Sequence, residues 1–333
     1  MTAPPAAIQP APAQPAPRRL GPAARLAALA LCALLCAALF LTLNTRTDWA
    51  FTLQLRGAKL AAMALVAYAV GISTVLFHSI THNRILTPAI MGFDALYLLI
   101  QTALAWAFGM QALSAINPTL KFAAETAVML ALALLLFHSL FTGGVRSLHL
   151  MLLVGVVLGV LFRAATALLL RLIDPNQFGS LQDRFFASFN QPATALLATA
   201  SALLLAASAL LWRMRHQFDV IALGRDMAIN LGIDYQRRVL HILVCIALLV
   251  SVSTALVGPV TFLGLLAANL AYALIGDMRH RYSLPAAALL GFIALAGGQM
   301  VLEHALGYNS ALSMVIEFIG GIAFITLLLR QGK

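Results

Sequence analysis

The sequence predicts an all-α polytopic membrane protein of about ten transmembrane helices, and three observations carry that expectation. Of its 333 residues, 62% are hydrophobic and 10% charged, where soluble domains run near 45–50% and about 25%. Mean hydropathy is +0.94. Uncharged apolar runs of roughly 20 residues recur along the chain, the length that crosses a bilayer core as a helix. A large soluble core or a solenoid would need charged faces that this chain lacks.

The elements follow in order. Residues 1–22 hold seven of the thirteen prolines; a Pro/Ala-rich tail cannot bury a core, so it is expected to be disordered and cytoplasmic. A single transmembrane domain, 23–333, comes after it. Its first run, LAALALCALLCAALFLTL, exceeds the apolar region of a signal peptide and is taken as an uncleaved span, 25–43. Polar or Pro/Gly breaks then delimit spans at 57–80, 89–109, 121–141, 148–171, 193–212, 239–257, 260–275, 285–304 and 311–329. The tight VGPV break at 257–260 fits a hairpin or a re-entrant segment. Cys32, Cys36 and Cys245 sit in apolar runs and behave there as small hydrophobes.

Charge sets the orientation. With the N-terminus inside, fourteen of the 21 Lys and Arg fall in cytoplasmic segments and six outside, with Arg163 within a span. That agrees with the positive-inside rule and places both termini in the cytoplasm. The net charge of +10 then reflects topology and anionic lipid; nucleic-acid binding has no support in it.

The same topology makes 213–238 a cytoplasmic loop, and its GRDMAINLGIDYQRR stretch has five charges in fifteen residues. FDVIALG and RDMAINLG each read as one or two helical turns. Asp219 and Asp226 are expected as N-caps, and Gly224 and Gly232 as left-handed helix ends. Met227, Ala228 and Leu231 would form an apolar face on this stiff knob, suited to a cytoplasmic partner or to the membrane surface. None of the three lysines completes a GxxxxGK[ST] phosphate loop. If ATP drives this protein, ATP and Mg belong to a separate ATPase chain, and no cofactor is expected here.

Three ordered blocks resemble the permeases of iron-chelate and vitamin B12 type ABC importers. The loop fits that family's G-x-x-x-A-x-x-L-G coupling motif at Gly224, Ala228, Leu231 and Gly232. FHSITHNRILTPAIMGFDALY matches at Asn83, Pro88 and Gly92. GPVTFLGL matches at Gly258, Phe262, Gly264 and Leu265, followed by Gly276, Pro285 and Gly291. The chain departs from the family at Ala268, Asn269 and Tyr272, and has His78 where many members have Gln. Its wording is nearest the iron-chelate branch. The resemblance implies a type II importer fold with spans 2–5 and 7–10 as inverted repeats, a trace of which survives in IST at 72–74 and VST at 252–254. It also implies an ABC ATPase, a second permease (the same chain or a homologue), a solute-binding protein and a ferric siderophore cargo.

Individual residues carry narrower expectations. Intramembrane charges mark function by default. Arg163 and Glu317 lie on spans that the resemblance places beside the pathway; Arg163 either touches anionic cargo or pairs with Glu317 or Glu125. Among the outer basic residues Arg46, Arg56, Lys59 and Arg184, Arg56 and Lys59 are the candidates for docking the binding protein, with headgroup anchoring as the alternative. His78 and His82 share a helical face at i,i+4 but lack a third ligand in sequence, so no metal site is assigned. Asp94 is read as structural support near Pro88. The Gly pairs 297–298 and 320–321 are read as close-packing points. A secondary transporter would need a carboxylate relay, which Asp94, Glu125, Glu303 and Glu317 do not obviously make. An intramembrane enzyme would need a set such as HExxH, which the sequence does not contain.

Overall fold

The computed structural model describes residues 21–43, 49–142, 148–190, 194–304 and 311–331. The expected tail as far as residue 20, and Arg46, lie outside the described residues. The helices are α1 (Pro22–Thr42), α2 (Trp49–Thr81), α3 (Phe93–Ala115), α4 (Pro118–Thr142), α5 (Leu148–Leu170), α6 (Pro175–Asp183), α7 (Thr194–Met214), α8 (Phe218–Ile221), α9 (Arg225–Asn230), α10 (Tyr235–Val257), α11 (Leu263–Ile275), α12 (His280–His304) and α13 (Leu312–Gln331). Each expected span corresponds to one of these, and the described residues contain no strand. Eight of the helices are long and apolar enough to cross a membrane. With 13 residues α11 extends roughly 20 Å, too short for a ~30 Å core on its own.

An apolar helix hides its surface in protein or in lipid, and both occur here. Two-thirds of the apolar window is buried in α2 and in α10, but only 11% in α1. The centre is therefore α2 and α10 with α12 alongside. Close approach at α2 and α12 depends on small residues: a Cβ on Gly71 would lie 2.9 Å from the Ala287 carbonyl carbon, and Gly291 faces Ala67. Of the glycine pairs singled out in the sequence, Gly298 and Gly320 do face neighbouring side chains, Leu312 and Leu266, whereas Gly297 and Gly321 face open space.

Two breaks interrupt the helical run. After α2, His82 takes φ 51°, residues Pro88–Met91 form a 3₁₀ turn, and Gly92 at φ 92° starts α3. Span 3 was expected from residue 89; the 3₁₀ turn delays its helix to Phe93. A side chain at Gly92 would press on Gly159 of α5, its Cβ 3.0 Å from that Cα. The second break follows α10, where Gly258 at φ 99° lies against Ala187 of the segment after α6. Ser188 N–H donates to the Val257 carbonyl there, at 2.9 Å. Beyond it, α11 packs chiefly on α12, α2 and α13, so it does not fold back along α10 as a hairpin. Thr261 Oγ1 donates to Asp94 Oδ2 at 3.1 Å and ties the two breaks together. Asp94 thus supports the structure through Thr261 and not through the backbone near Pro88.

Candidate functional site

Residues 214–235 build a compact knob at one end of the bundle. Gly224 takes φ 99°, ψ 166°, a region open only to glycine, and begins α9. Gly232, at φ 81°, ends it. Ile233 N–H donates to the Ala228 carbonyl (3.0 Å) and Gly232 N–H to the Ile229 carbonyl (2.9 Å), the paired bonds of a Schellman motif. Both glycines are required by backbone conformation, although only Gly232 is a left-handed helix end. The acidic residues differ from expectation: neither α8 nor α9 has a side-chain N-cap. Asp226 lies in the first turn of α9, where a negative charge suits the helix dipole. Asp234 is the residue that caps, accepting from Arg237 N–H at the start of α10.

The apolar face of the knob also needs correction. Ala228 is fully buried and belongs to the main core, so it seats the knob on the bundle. Leu223, Met227 and Leu231 are each about 60% exposed and form the outward surface. Helical periodicity pointed to Ala228 and Met227 together; the direction in which the knob folds back separates them.

Asp219 reaches the start of α12. Its Oδ1 accepts from the His280 backbone N–H at 2.9 Å and lies 2.6 Å from His280 Nδ1. Burial alone would push the Asp219 carboxyl up, but the two His280 bonds, the His280 charge and nearby Arg279 hold it below its ordinary value. Beside it a cavity of about 300 Å³ is lined by His78, Arg84, Tyr272 and Met278 among others. The residues that depart from the family pattern act here. Tyr272 Oη meets His78 Nδ1 at 3.3 Å, Arg84 lies over the Tyr272 ring, and Asn269 donates to the Arg84 carbonyl at 3.1 Å. His82 has left the helix, so the i,i+4 face expected with His78 does not form. Among the described residues no three His, Cys, Asp or Glu side chains converge as metal ligands.

At the opposite end, Arg56 Nη1 donates to the carbonyls of Phe40 (2.9 Å) and Leu43 (2.7 Å) at the end of α1. Cations satisfy orphan carbonyls at helix C-termini in this way. Lys59 does not offer a docking surface: it is 6% exposed, and its Nζ lies 3.1 Å from Glu303 Oε1 of α12. Gln299 donates to the same oxygen at 2.9 Å. The sequence signal for this pair was present, a lone Lys and a lone Glu near the same ends of two apolar runs, but nothing in it aligned α2 with α12.

Arg163 and Glu317 are both exposed, and among the described residues neither makes an ion pair. Glu125, the other partner considered for Arg163, lies 3.5 Å from Lys121 Nζ and accepts from Gln101 at 2.6 Å. Arg163 and Glu317 instead share electrostatic reach of Asp94. The remaining motif residues are architectural. Asn83 Oδ1 accepts from Ile85 N–H at 2.9 Å, Pro88 opens the 3₁₀ turn, and Phe262 packs edge-on against Phe324. Gly264 meets Thr74 so closely that any side chain would collide with it.

Comparison with known proteins agrees with this architecture. The petrobactin import system permease protein YclO of Bacillus subtilis (strain 168) is 42% identical over 299 residues, covering 90% of this chain and 95% of that protein. The petrobactin import system permease protein FatC of Bacillus anthracis is 36% identical over 276 residues, 83% of this chain and 78% of that protein. Among solved structures, a metal-chelate type ABC transporter in an inward-facing conformation superposes with a TM-score of 0.80 at 20% identity, covering 92% of this chain and 98% of that one. At that identity the likeness speaks for the fold. The FecCD transport family matches residues 25–330. That match runs from the first turn of α1 to the last of α13 and takes in the knob and both breaks, and so the chain belongs to the FecCD transport family.

Proposed function

We propose that this chain is the membrane-spanning permease subunit of an ABC importer that carries a ferric siderophore across the cytoplasmic membrane. The observation that carries the reading is the relation to permeases of petrobactin import systems over nine-tenths of the chain. The glycine-built knob supports it, with Leu223, Met227 and Leu231 turned outward from a bundle of lipid-length helices. In this reading the knob end and both termini are cytoplasmic. Gly224, Asp226, Ala228, Leu231 and Gly232 shape the surface that meets a separate ATPase, and ATP and Mg are bound there. A second permease, the same or a homologous chain, completes the pore. A solute-binding protein delivers cargo at the opposite end, where Arg56 meets one of its acidic residues. Exposed Arg163 faces the anionic chelate along the pathway.

The test is reconstitution with the ATPase and binding protein, following uptake of ferric petrobactin into vesicles. Uptake should require ATP and persist when proton and sodium gradients are dissipated. Met227→Asp and Leu231→Asp place charge on the outward surface of the knob and should abolish ATPase binding without unfolding the chain. Uptake driven by an ion gradient without ATP would overturn the reading.

A further inference from the structure

The contact of Asp219 with His280 continues to a third helix. His280 Nε2 lies 2.7 Å from Ser79 Oγ of α2, and Ser79 Oγ lies 3.0 Å from the Val75 carbonyl one turn earlier. The chain Asp219–His280–Ser79 therefore joins α8, α12 and α2. Its central ring is 4% exposed, with Phe218 of α8 packed on it at 5.6 Å between centroids. The knob is otherwise held chiefly by α8 on α2 and by α9 on α10. Asp219 and Phe218 together bring in α12, Asp219 through its hydrogen bonds to His280 and Phe218 by packing on the same ring.

Hydrogen placement keeps the chain connected in both proton states of His280. The carboxylate requires the N–H at Nδ1. In neutral His280, Nε2 accepts from the Ser79 hydroxyl; in the imidazolium, Nε2 donates to Ser79 Oγ, which then donates to the Val75 carbonyl. A satisfied polar chain is stiff where it is buried, which holds for the His280 and Ser79 end, while Asp219 at the knob end is half-exposed. The two helices it reaches are closely packed on each other as well, a Cβ on Gly71 of α2 lying 2.9 Å from the Ala287 carbonyl carbon of α12.

We propose that Asp219, His280 and Ser79 form the linkage through which the knob moves α12 and α2 together, with His280 and Ser79 as positioning residues for transport. The proposal rests on the reading of the knob as the surface that meets the ATPase. Neither Ser79 nor His280 belongs to that surface: His280 is buried and Ser79 is half-buried on α2.

The experiment compares Ser79→Ala, Ser79→Thr and His280→Phe in the full reconstituted complex. ATPase affinity, thermal stability and ferric petrobactin transported per ATP hydrolysed are measured side by side. Ser79→Ala and His280→Phe should bind the ATPase as the unaltered protein does and hydrolyse ATP, but transport about tenfold less per ATP, a typical coupling loss. Ser79→Thr retains the hydroxyl on the same helix and should transport near the original ratio. A purely structural role would lower stability and ATPase binding along with transport, and that pattern would overturn the proposal. So would an unchanged transport ratio in Ser79→Ala and His280→Phe. Failure of the unaltered chain to bind the ATPase would instead overturn the coupling reading beneath it, a separate result.

Discussion

Removing one partner of the Lys59–Glu303 pair should destabilise the protein far more than removing both. The charges lie 3.1 Å apart with side chains 8% and 7% exposed. At an effective dielectric near 20, that separation corresponds to about 5 kcal/mol of attraction. Each charge also lost its hydration on burial, so the net value of the pair is small. Lys59→Met leaves the Glu303 carboxylate buried beside the Gln299 amide without its cation, and Glu303→Gln leaves a buried ammonium without its carboxylate. Either change should cost roughly 3–5 kcal/mol, whereas the double variant should recover most of the loss. Thermal denaturation of the detergent-solubilised protein, run as a double-mutant cycle, reads this directly. Additive losses would show that the two charges do not depend on each other. Single variants as stable as the original would show that water reaches the pair. Both results would refute the argument from burial.

Two further expectations concern the knob. Gly232→Val introduces a β-branched side chain at φ 81° where an added Cβ meets nothing within 4 Å, so the loss should be backbone strain alone, on the order of 1–2 kcal/mol. It should appear as faster amide exchange in 225–233, and unchanged exchange would mean that the turn relaxes without cost. Asp219 is held below its ordinary value of 3.8, so its contribution to stability is fully present above that pH and lost as pH falls through the lower folded value. The gap in melting temperature between the unaltered protein and Asp219→Asn should therefore close on acidification below about pH 4. A gap that widened would reverse the sign.

Periodicity and composition determined the helices, because an uncharged 20-residue run has few stable fates and lipid enforces helix in each. All ten spans were legible for that reason, as was the need for glycine at 224 and 232, since backbone conformation at a helix boundary is a local matter. Side-chain partners were not legible. Lys59 read as a surface cation, Arg163 as either a cargo contact or half of an ion pair, and Asp219 as a helix cap, because the sequence does not show which distant residues each one meets. Their true surroundings come from residues about 60 to 240 positions away: Glu303 for Lys59, Asp94 within reach of Arg163, and His280 for Asp219. Which charges end up adjacent depends on how α2, α10 and α12 cross. That crossing is fixed by small residues such as Gly71 meeting Ala287, a fit between distant surfaces that hydrophobic patterning does not encode.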